Sequence, residues 1–133
     1  MKHAVLATAA VLAVSALALS ACEKQTKAPF EQGVCFQVAT NKDGTLRYNP
    51  LERNVAQMEL CAAALEGARM RFVRLGQSNS QGMVGAYQGS FIFVEKEGIF
   101  VGQTYEGPRF MSLVRTGDGR LAVPGAIRRE PAQ

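Results

Sequence analysis

Residues 90–102 read Ser-Phe-Ile-Phe-Val-Glu-Lys-Glu-Gly-Ile-Phe-Val-Gly, two β-branched and aromatic runs parted by Lys96-Glu97 and Gly98. Runs of this kind on either side of a short polar break predict a β-hairpin. Phe91 to Val94 is apolar without interruption, so a strand there has both faces covered, as at the centre of a sheet beneath a helix. Downstream, residues 109–115 and 120–123 flank Thr116-Gly117-Asp118-Gly119 and predict a second hairpin. Four strands in succession make an antiparallel meander.

Upstream, the run from Gly33 to Thr40 breaks at Asn41-Lys42-Asp43-Gly44, whose Asp-Gly suits a tight hairpin returning over residues 45–48. Alternation places Val34, Phe36 and Val38 on one face and Cys35 on the other. Asn49-Pro50 reads as a turn. Asn54, with Gln57 three residues on, reads as a helix N-cap, and Gly67 as the C-cap. Between them Val55, Met58, Ala62 and Leu65 recur at helical spacing with Cys61 beside them, while Glu59 and Glu66 face elsewhere. Residues 69–75 alternate arginine with apolar residues, and the Phe72-Val73 pair before Gly76 favours a strand over a continuation of the helix.

Two features invite a functional reading. Arg69, Arg71 and Arg74 form a basic stripe that would suit an anionic partner, although exposed arginines on a strand are ordinary. Tyr87-Gln88-Gly89 and Tyr105-Glu106-Gly107 echo each other. If that echo is structural, Tyr87 and Tyr105 occupy like positions on neighbouring strands and form one aromatic binding surface.

The N-terminus carries a different signal. Met1-Lys2-His3 is a cationic start, and residues 4–19 are mostly apolar, the build of an export leader and too short for a comfortable membrane span of about 20 residues. Leu19-Ser20-Ala21-Cys22 closes the run and resembles the lipobox of bacterial lipoproteins. The resemblance implies that the leader, residues 1–21, is removed and that Cys22 becomes the lipidated first residue of the mature chain. Ala18-Leu19-Ser20 also offers an ordinary cleavage site. The lipobox is preferred because the cysteine stands where the apolar run ends and a polar segment begins. Glu23, in place of the Asp that retains enterobacterial lipoproteins in the inner membrane, leans towards the outer membrane. Residues 22–32 then read as a flexible tether, residues 33–125 as one domain and residues 126–133 as a loose tail.

Export makes the compartment oxidising, so with Cys22 lipidated the remaining Cys35 and Cys61 read as a disulfide. The fold class expected is therefore α+β: a small antiparallel β-meander with one helix packed on it, stapled by that bridge. The formal charge is +4, and subtracting Lys2 of the leader leaves +3. So small a surplus lacks the clustered basic footprint of a nucleic-acid binder. The only histidine is His3, in the leader, so the mature chain lacks the commonest general base and the commonest metal ligand. No cofactor or metal is expected. These features lead to a non-catalytic, membrane-anchored envelope protein facing the periplasm, with an envelope protein or cell-wall polymer as partner. The alternative is an inhibitor of a cell-wall-degrading enzyme such as lysozyme, since small disulfide-bearing lipoproteins include such inhibitors and these resemble this chain in size and address only, with a minor hydrolase as a third class.

Overall fold

A computed structural model describes residues 24–76 and 82–125; the leader, Cys22 and the expected tail at 126–133 lie outside the described residues. The β-rich runs form strands β1 (Cys35–Thr40), β2 (Leu46–Glu52), β3 (Met83–Tyr87), β4 (Ser90–Val94), β5 (Ile99–Gly102), β6 (Phe110–Arg115) and β7 (Leu121–Ala122), and one helix, α1 (Met58–Arg74), follows β2. Together they make an α+β fold. The strands pair antiparallel in the order β2-β1-β3-β4-β5-β6-β7. From β4 onward this is the expected meander, and β3 (Met83–Tyr87), which was not expected, precedes it. The first hairpin joins it because α1 carries the chain over β1, so that β3 pairs with the inner side of β1.

Alternation along the strands builds two cores. On the helix side, Cys35, Ile92, Val94, Ile99 and Leu113 pack with Cys61, Ala62 and Leu65 of α1. On the far side Val34, Phe36, Phe91 and Phe93 form a second cluster. Phe91 to Val94 are accordingly all buried, as an uninterrupted apolar strand requires. The bridge Cys35–Cys61 ties β1 to α1 across a Cα–Cα distance of 5.3 Å. Gly85 lets the helix approach this closely, since a Cβ there would stand 2.2 Å from Cδ1 of Leu65.

Several boundaries depart from expectation. β2 continues through Asn49-Pro50, with Pro50 opposite Phe36, because an edge strand tolerates a residue without an N–H. Asn54 adopts φ +57° and caps nothing; the helix starts after Gln57, whose carbonyl accepts from Leu60 and Cys61. Nor does Gly67 end it. Residues 69–74 are helical, not a strand, and Gly76 at φ +72° supplies the left-handed stop. Glu66, expected on an exposed helix face, is 8% exposed.

The expected free tether is also corrected from residue 24 onward. Thr26 donates from its amide and hydroxyl to the two carboxylate oxygens of Glu106 at 2.8 and 2.6 Å. Its carbonyl accepts from Tyr105, that of Pro29 accepts from Gly89, and Lys27 bridges to Thr104. The segment is a strap on the far face, where Ala28 completes the aromatic cluster. It fits because its backbone polar groups find partners in the 103–107 loop, which no local pattern in the strap announces.

Candidate binding surface

The two tyrosines do not share a surface. Tyr87 is 5% exposed in the helix-side core, where its hydroxyl donates to the carbonyl of Val55 at 2.6 Å. Tyr105 is on the other face, its ring 5.6 Å from that of Phe91 and 6.0 Å from that of Phe93. Strand pleating is the reason: Tyr87 ends β3 pointing under the helix, whereas Tyr105 lies in a loop folded beneath the sheet. Tyr87 is therefore withdrawn from the candidate surface. Tyr105 belongs to a supported aromatic layer in which Arg109 lies 3.5 Å over the Phe93 ring and pairs with Glu95 at 3.0 Å.

The three arginines separate in the same way. Helical geometry turns Arg69 inward beside Glu66, to which it donates at 2.7 and 3.0 Å. Arg115 of β6 closes on the same carboxylate at 2.9 Å through both its Nε and Nη2, and its Nη1 donates to the carbonyls of Glu95 and Lys96. Hydrogen bonds from Arg115, then from Arg69, hold the Glu66 carboxyl at about 2, outweighing the opposing effect of burial. This network joins helix, β6 and the β4–β5 turn. It is a structural clamp in which two guanidinium groups share one carboxylate, so both arginines are engaged and the cluster keeps a net positive charge.

Arg71 and Arg74 remain exposed. Leu60, Ala64, Gly67, Arg71 and Arg74 recur at helical spacing on one stripe of α1, and the stripe forms a wall of a groove against the end of β2. Leu51, Val55, Leu60 and Ala64 give this groove an apolar lining, Arg53, Arg71 and Glu52 a charged rim, and its volume is about 440 Å³. Leu60 is 53% exposed there, and towards the helix end Val73 and Leu75 are exposed as well. The groove thus combines apolar side chains with charges of both signs at its rim. The sequence held one usable signal for it: Leu60 falls off the buried stripe of Cys61, Ala62 and Leu65. Leu51 and Arg53 could not be read this way, because β2 was expected to end before them.

Among the described residues no group of three or more His, Cys, Asp or Glu stands close enough to hold a metal ion. Among them, too, no helix is long and apolar enough to cross a membrane. Comparison of the chain with protein-family models, with curated proteins and with solved structures finds no match.

Proposed function

We propose that the chain is a lipid-anchored protein of the bacterial envelope, favouring the outer membrane and facing the periplasm, whose domain binds or scaffolds another envelope component without catalysis. The observation that carries this reading is Leu19-Ser20-Ala21-Cys22 at the end of an apolar leader. The Cys35–Cys61 bridge supports it, since structural disulfides persist in oxidising compartments. The binding role rests on the groove between α1 and β2, whose apolar lining around Leu51 and Leu60 is open to a partner protein or cell-wall polymer.

In-cell crosslinking from a photoreactive residue at position 60 tests the binding role. One dominant adduct with an envelope component, lost on L51R, is the expected result. Adducts from position 60 that match those from position 118, exposed in the β6–β7 turn, in identity and yield, would contradict it.

A further inference from the structure

Strand registers fix the two ends of the sheet. Val38, Val84, Phe93 and Phe100 lie side by side across β1, β3, β4 and β5, so the Asn41–Thr45 turn, the Glu95–Gly98 turn and the start of β3 share one end. Helix α1 climbs towards that end. Cys61 is bonded to Cys35, which pairs with Tyr87; Leu65 packs over Gly85; and Glu66 meets Arg115, which also donates to the Glu95–Lys96 turn. From Glu66 the helix runs on to Arg74, roughly 12 Å at 1.5 Å per residue, and so overhangs the sheet. The overhang carries Arg74 between two exposed apolar residues, Val73 at 49% and Leu75 at 74%. The strap starts at the same end, where Lys24 lines a recess of about 390 Å³ with Gly44, Thr45, Tyr48 and Glu106. Lys24, Lys42, Arg47 and Arg74 are exposed there, and none of the four forms an ion pair among the described residues. They outnumber the nearby acids Asp43 and Glu106, while Lys96, Glu97, Asp118 and Arg120 on the adjoining turns balance one another.

Chain length confines Cys22 to this end. Only Glu23 stands between it and Lys24, so the two α-carbons are at most roughly 7 Å apart. The strap releases no further length, because Thr26 and Lys27 are bonded to the 104–106 loop. We propose that the anionic bilayer surface holding the Cys22 lipid is the occupant of this end. The β1–β2 turn rests on the headgroups, with Lys24, Lys42 and Arg47 against lipid phosphates, and the overhanging helix end places Val73 and Leu75 in the interface. Exposed apolar side chains gain free energy at that boundary, and cations are drawn to anionic lipid. Leu60 of the α1–β2 groove lies roughly 22 Å from Leu75 along the helix axis, so the groove is held off the membrane and open to a partner. This inference rests on the lipid-anchor reading.

The chain contains no tryptophan, so L75W and L60W are single fluorescent reporters at exposed positions towards the two ends of one helix. Each acylated full-length variant is reconstituted in vesicles of phosphatidylethanolamine and phosphatidylglycerol that contain a lipid with a nitroxide quencher on its headgroup. L75W is expected to shift to shorter wavelength and lose most of its emission, with L60W unchanged; V73W serves as the second reporter if L75W does not fold. In vesicles of phosphatidylcholine with the same quencher L75W should lose less, and an equal loss there overturns the part given to the cations. Acylated protein that floats with the vesicles while L60W is quenched as strongly as L75W or more, or while neither is quenched, overturns the seated orientation and leaves the anchor standing. Protein purified from membranes without acyl mass on Cys22 overturns the anchor reading and this inference with it.

Discussion

Glu66 shows how a single residue can be misread from pattern alone. Its position on the helix wheel lies at the edge of the apolar stripe, and the nearest charges in sequence make it look solvated. Its second partner, Arg115, is 49 residues away, so no local rule reveals the clamp. Two arginines hold the carboxylate near 2 against an ordinary 4.5, a difference worth roughly 3 kcal/mol in favour of the folded state. A depressed folded-state value means that this stability is complete above about pH 5 and is lost as pH falls towards 2. Asp43, Glu106 and Asp118 are held low in the same direction, by hydrogen bonds from Thr45, Thr26 and Thr116. E66Q should therefore lower the melting temperature near neutrality by about 10 °C. Denaturant titrations at stepped pH should show the gap between wild type and variant closing as pH falls from 5 to 2. Parallel curves over that range would show that Glu66 makes no ionic contribution.

At the scale of elements, every strand but β3 was legible, a strand was read at 69–75 where the helix continues, and the helix was legible only in part. Asp43-Gly44 does close the first hairpin, with the Gly44 amide donating to the carbonyl of Asn41. Residues 90–102 form β4 and β5 as their composition demands. The helix was cut short in the reading because Gly67 and the arginine alternation after it both argue locally against helix. Tertiary contacts decide otherwise: Ala68 is buried against the sheet and Arg69 reaches back to Glu66. Gly67 is then an interior helix glycine, which costs about 0.5–1 kcal/mol relative to alanine. A Cβ there would meet nothing closer than Arg71 Nη1 at 3.8 Å, an ordinary contact. G67A is accordingly expected to stabilise the protein by about 0.5–1 kcal/mol, read as a rise in the denaturant midpoint with unchanged slope. A fall in the midpoint would mean that the groove wall at Gly67 cannot accommodate a methyl group.

For the whole molecule, the disulfide and the strap divide the work of holding one sheet between two covers. The Cys35–Cys61 bridge closes a 26-residue separation and is worth roughly 3.5 kcal/mol in the chain-entropy model, a large share for a domain of this size. It secures the helix cover. The strap secures the other, and its role was invisible in sequence because Glu23 to Pro29 is polar and offers little to bury before Phe30. Backbone pairing with the 104–106 loop and the small side chain of Ala28 let it fit. The aromatic echo failed for a related reason: Tyr87 and Tyr105 share a Tyr-Xaa-Gly context but stand on opposite faces of the sheet. What remained legible at this scale was the α+β class and the Cys35–Cys61 pairing.

Anchoring through Cys22 is the claim on which the proposed compartment depends. Intact-mass analysis of the protein purified from membranes, beside C22S, tests it most directly. The account predicts a chain that begins at Cys22 and carries thioether-linked diacylglycerol, with C22S unacylated and released from the membrane fraction. An unmodified chain beginning at Ala21, or acyl mass that persists in C22S, would contradict it.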